Sequence, residues 1–108
     1  MRQSVIVSYT VRPDAHAEHV RLIEDVFAQL RARHPDTVDY QVMCLADGVS
    51  FVHVSTHDTA DGASPLPALP AFQEFSRAIG TRVATPPTPA EAATVGTYRG
   101  LTDLGRPG

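Results

Sequence analysis

Apolar and polar residues change places along this chain in two rhythms. Val5, Val7, Tyr9 and Val11 alternate with Ile6, Ser8 and Thr10, the period-two pattern of a half-buried strand. Arg12-Pro13 ends it, because proline has no N–H to give to a ladder. Asp14 then stands where a helix N-cap belongs, with Glu18 in the first turn. Over residues 15–34 the rhythm becomes helical: Val20, Ile23, Phe27 and Leu30 form a stripe flanked by Val26. His34 precedes Pro35, which sets the helix end.

Alternation returns at 38–45, where Val38, Tyr40, Val42 and Cys44 oppose Asp39, Gln41, Met43 and Leu45. Asp47-Gly48 follows, a strong hairpin signal between two alternating runs. The third strand, 50–57, places Val52, Val54 and Thr56 on one face, expected to meet the helices. Phe51, His53, Ser55 and His57 lie on the other. Residues 58–70 carry Asp58, Asp61, Gly62, Ser64 and three prolines, a long connection of the kind used as a lid or binding loop, or simply a surface loop. Pro70 suits a first helical position. Leu69, Phe72, Phe75 and Ile79 form a second stripe that Gly80 ends. Thr85-Pro86-Pro87-Thr88-Pro89 is expected to be a rigid link outside the sheet. A last strand is expected over 93–101, with a tail from 102 to 108.

The order β-α-β-β-α-β predicts a single α+β domain with the ferredoxin-like arrangement, a core of about residues 4–101, and two helices on one face of a four-stranded antiparallel sheet. Two helices cover one face only. The face assigned to Ile6, Gln41, Met43, Phe51 and His53 is mixed in polarity, which points to a second sheet covering it. A homodimer joined through the sheet face is the simplest arrangement.

Composition narrows the function more than the fold. One domain suits 108 residues, and 43% apolar content is ordinary for a globular chain. A net charge of −3 without a basic stripe gives nucleic acid no footprint. All nine basic residues are arginine. A lone Cys44 excludes an internal disulfide and fits a reducing, cytoplasmic setting, and no stretch reads as a membrane span.

His53 and His57 share a strand face but stand about 13 Å apart, too far to hold one metal ion. His53 reads in two ways. It is a general base in a pocket, suited to drawing a proton from a phenol or a carbon acid, or a core histidine bonded to a neighbouring strand or to Ser8. Tyr98 is a candidate catalytic hydrogen-bond partner, or a packed tyrosine. Ser8, Met43, Phe51, Ser55 and His57 are the candidate ligand-binding residues. Tyr9 and Tyr40 fall on helix-packed faces, and Cys44 reads as an inert core residue. Arg82 and Arg99 either orient an anionic group or reach to solvent. His16 and His19 form a helical i, i+3 pair without an evident third ligand, so no metal site is expected. No phosphate loop, dinucleotide motif or serine elbow appears, and no cofactor is expected.

The strand ending Val11-Arg12-Pro13-Asp14, the long helix, the Asp47-Gly48 hairpin, Phe51-Val52-His53-Val54, the helix around Leu69-Pro70-Ala71-Phe72-Gln73-Glu74-Phe75 and the closing Val95-Gly96-Thr97-Tyr98 together resemble the dimeric α/β-barrel superfamily, within it proteins similar to antibiotic biosynthesis monooxygenases. The resemblance covers nearly the whole chain and is one of layout. It implies a homodimer with a small-molecule cavity, and an activity among cofactor-independent monooxygenases acting on aromatic or polyketide-like compounds, haem-degrading enzymes, polyketide cyclases or muconolactone isomerases. Several relatives carry a tryptophan near the end of the third strand. His57 takes that position here and the chain has no tryptophan, so the Asn-His-Trp set of haem-degrading members is missing. A non-enzymatic ligand-binding or stress-related dimer is the alternative reading.

Overall fold

Backbone pairing joins the alternating stretches into one antiparallel sheet. The computed structural model describes residues 2–98. Strand β1 spans Arg2–Val11, helix α1 His16–Arg33, strand β2 Val38–Cys44, strand β3 Ser50–Asp58, helix α2 Pro70–Ser76 and strand β4 Val83–Ala92. The sheet order is β2-β3-β1-β4, every neighbouring pair antiparallel. This is the expected ferredoxin-like α+β layout, with α1 and α2 packed together over one sheet face. Among the described residues no helix is long and apolar enough to cross a membrane.

The hairpin fixes which side chains share a face. Gly48, at φ 77°, takes the left-handed position that its missing Cβ allows, and its N–H closes the turn on the Leu45 carbonyl at 2.9 Å. The Asp47 carboxylate receives the Val49 and Ser50 amides at 2.9 and 2.8 Å. From this turn the register runs Cys44 opposite Phe51, Val42 opposite His53 and Tyr40 opposite Ser55. Across the other side of β3, Tyr9 faces Phe51 and Val7 faces His53.

The face assignment expected for β3 is therefore inverted. Phe51, His53 and His57 are buried under the helices together with Tyr9 and Val11, whereas Val52, Val54 and Thr56 lie with Ile6, Ser8, Gln41 and Met43 on the uncovered face. The cause is the pleat: paired residues point the same way, so β3 must follow Val42 and Tyr9.

Other expectations shift less. The buried line of α1 runs through His19, Leu22 and Val26, with Val20, Ile23 and Leu30 at its margins. Asp14 does not cap α1. It lies in a short 3-10 turn, Pro13–Ala15, exposed and 3.5 Å from Arg12. The helix ends at Arg33, with His34 left-handed (φ 54°) and its N–H on the Leu30 carbonyl, as the following proline requires. Helix α2 starts at Pro70 but stops at Ser76, before a second left-handed residue, Ala78. Cys44 is exposed rather than packed, because it ends β2 at the sheet rim.

The last strand is the largest correction. It is the proline-rich Val83–Ala92, and residues 93–98 form no strand. As the outermost strand, β4 bonds to β1 on one side only, so a missing N–H costs little there. The register slips between Ser8–Thr88 and Thr10–Thr85, a bulge that places Pro86 and Pro87 against the single residue Tyr9. Arg99 and the expected tail lie outside the described residues.

Candidate functional site

Burial of polar side chains is the first clue to a site. His19 (0% exposed) and His53 (6%) sit inside the apolar core, beside Tyr9, Phe51 and Phe75. Such groups are tolerated only when hydrogen-bonded. The Tyr9 hydroxyl lies 2.6 Å from His19 Nε2 and 2.5 Å from His53 Nε2. His53 Nδ1 is 2.6 Å from the Tyr40 hydroxyl. Arg82 Nε donates to His19 Nδ1 at 3.0 Å. The five residues form one continuous chain, from Arg82 through His19, Tyr9 and His53 to Tyr40.

Four elements deliver these groups. Tyr9 comes from β1, His19 from α1, Tyr40 from β2 and His53 from β3, while Arg82 stands just before β4. The Arg82 guanidinium is held by the Phe75 carbonyl at 2.5 Å and lies over the Phe75 ring, 5.4 Å from its centroid. Tyr9 stacks on Phe51 and Tyr40 on Phe27, with ring centroids 5.8 and 5.2 Å apart.

Burial sets the electrostatics. It pushes the His53 imidazole down to about 4. Burial, helped by the nearby Arg82 cation, pushes His19 down to about 4 as well. Both rings are neutral at pH 7. The same burial raises the Tyr9 and Tyr40 phenols above their ordinary value, so both keep their protons.

His53 thus lies in the core with both ring nitrogens taken by tyrosine hydroxyls. Ser8, the partner expected for it, points out of the opposite face. Phe51 is packed against His16, His19 and Tyr9, and Ser55 is half-buried on the His53 face. His57 donates Nε2–H to the Gly62 carbonyl at 2.9 Å, and its Nδ1 is buried without a hydrogen-bond partner among the described residues. It thereby ties down residues 58–70, whose Leu66 and Leu69 are buried. Met43 is 43% exposed on the uncovered face. Tyr98, 86% exposed beyond β4, does not join His53, because the strand expected to carry it is absent over 93–98. His16 and His19 diverge: His19 is committed to Tyr9 and Arg82, while His16 packs against Phe51. Arg82 turns inward and not to solvent.

Sequence reasoning missed Tyr9, His19, Tyr40 and Arg82 as members of a polar cluster. The hairpin register was the available signal for the tyrosines, since it puts Tyr40 and His53 on one face. For His19 and Arg82 there was none, because their meeting depends on how α1 and the residues before β4 pack.

Beside this chain, the end of α1 and β2 border an open cleft of about 340 Å³ lined by residues that include Phe27, Leu30, Arg31, His34, Val38 and Tyr40. That volume is within the usual range for small-molecule sites. Tyr40 belongs to both the cleft wall and the hydrogen-bonded chain.

No family model and no curated protein sequence matches this chain. Solved structures do. Rv0793 from Mycobacterium tuberculosis superposes with a TM-score of 0.73 at 19% identity, over 90% of this chain and 98% of its own. A structure described as an antibiotic biosynthesis monooxygenase gives 0.72 at 16% identity, over 89% and 100%. A variant of SnoaB, a cofactor-independent oxygenase from Streptomyces nogalater, gives 0.67 at 19% identity, over 92% and 98%. At these identities the likeness is one of architecture: the chain has the ferredoxin-like fold of antibiotic biosynthesis monooxygenase structures.

Proposed function

We propose that this chain is a cofactor-independent, monooxygenase-like protein that takes a small aromatic or polyketide-like compound against Tyr40. The buried Tyr9–His53–Tyr40 group carries the reading: two hydroxyls and a neutral imidazole in an apolar setting can hold and pass a proton at a substrate oxygen. His53 then acts through Tyr40 and not on the compound itself, which revises the base role expected from sequence. The aromatic pair Phe27 and Tyr40 gives a flat ring a wall to stack on. The shared fold with a cofactor-independent oxygenase supports the class of chemistry. The test is oxygen uptake with a panel of polycyclic phenols. Turnover is expected to fall about 100-fold in Tyr40→Phe and in His53→Phe. Turnover left unchanged by both substitutions would remove the assignment.

We also propose a homodimer through the uncovered sheet face. Ile6, Val52 and Val54 are half-buried there and Met43 is exposed, an apolar centre that a second copy would cover. Sedimentation at micromolar concentration decides it, a stable monomer being the negative result.

A second reading, a non-enzymatic dimer that sequesters a hydrophobic metabolite, is favoured by one observation: both nitrogens of His53 are already bonded inside the protein. A metabolite recovered with the purified protein and unchanged under oxygen would support it over the oxygenase.

A further inference from the structure

We infer that Arg82 is a positioning residue that fixes the direction of the whole hydrogen-bonded chain, so that Tyr40 at its far end presents a donor and not an acceptor. A guanidinium can only donate. Arg82 Nε–H points at His19 Nδ1, so that nitrogen holds the lone pair and the ring proton of neutral His19 is on Nε2. His19 Nε2–H donates to the Tyr9 oxygen. Tyr9 has one hydrogen left to give, and it goes to His53 Nε2. His53 Nε2 is then the acceptor, its proton is on Nδ1, and it donates to the Tyr40 oxygen. Tyr40 keeps its own hydrogen for whatever lies next. Tyr9 could accept from both rings only by leaving its own buried hydrogen without an acceptor among the described residues, so each link takes this direction once the first is set.

Arg82 cannot easily release the first link. It is buried, its terminal nitrogen donates to the Phe75 carbonyl, and its guanidinium lies over the Phe75 ring. Chains of this kind polarise one another, and a cation at the head strengthens the last donor. On the functional reading above, which this step deepens, the partner of Tyr40 is a ligand with an acceptor oxygen: a phenolate or a conjugated carbonyl.

The tautomers can be read on the full chain without any ligand, so the result stands apart from the oxygen-uptake assay. In long-range proton–nitrogen NMR at pH 7, His19 is expected as the Nε2–H form and His53 as the Nδ1–H form. Arg82→Met is expected to move His53 toward a mixture, and Arg82→Lys to restore the wild-type pattern. The Nε2–H form of His53 in the wild type would overturn the inference, and so would an unchanged pattern in folded Arg82→Met. If Arg82→Met does not fold, the wild-type His53 tautomer alone decides. Oxygen uptake without this tautomer pattern would leave the functional reading standing and remove the direction; the pattern without oxygen uptake would do the reverse.

Discussion

The two faces of the sheet differ in content: β1 and β2 present the sides expected of them, whereas β3 has exchanged its own. The helix-covered face holds imidazoles and phenols, while the uncovered face shows Ile6, Val52, Val54 and Met43. Side-chain polarity alone therefore does not tell which face is inside. His19 and His53 are buried here because the cluster satisfies itself: every polar side-chain atom of Tyr9, His19 and His53 has a partner. The uncovered side carries apolar residues that neither helix covers, and the two faces should respond differently to every perturbation.

The sharpest contrast lies between neighbours. Phe51→Ala removes a ring packed on Tyr9 and His19 and should cost about 4 kcal/mol in urea unfolding. Val52→Ala, one residue on and facing the other way, should cost under about 1 kcal/mol in the monomer. Equal losses would mean that the faces are equally covered.

Acid should act on the covered face. His19 and His53 titrate near 4 when folded and at the ordinary 6.5 when unfolded. Between those values the unfolded chain binds more protons, so stability rises with pH. It is fully present above pH 6.5 and is lost as pH falls toward 4, with a slope of up to about 1.4 kcal/mol per pH unit for each imidazole. Denaturant midpoints measured from pH 7 to 4 check this, and a flat profile would mean that the rings are not buried as neutral groups.

Tyr9→Phe keeps the ring and deletes the hydroxyl that bridges two histidines. Leaving Nε2 of both rings unpaired should cost about 2 kcal/mol. Double-mutant cycles with His53→Phe should show coupling, because the second change removes one of the orphaned atoms. A small effect on the folded monomer, about 1 kcal/mol, belongs to Val54→Asp on the uncovered face. The same change should abolish self-association in sedimentation, and an unaltered dimer would take the interface away from this face.

Much of the fold was legible because it rests on local rules. Alternation marked β1, β2 and β3, Pro35 marked the end of α1, and Pro70 the start of α2. The face of β3 was also legible: a hairpin centred on Asp47-Gly48 sets Cys44 against Phe51, which sends His53 inward with Val42. Reading β-branched residues as the helix-facing side overrode that geometry. Strand β4 was missed because prolines argue against a strand, unless it is known in advance to be the edge. The site was less legible. Arg82 and His19 are 63 positions apart, and only the packing of α1 against the end of the α2 segment brings them together.

The proline-rich β4 has a consequence for how molecules of this protein can stack. An exposed edge strand is a template for cross-molecule pairing and fibril growth. Pro86, Pro87 and Pro89 leave three residues of this edge strand without an N–H, and the bulge beside Tyr9 bends the ladder locally. Sheet extension at β4 is blunted by the chain itself, so aggregation resistance is built into the same segment that reads, in sequence, as a mere linker.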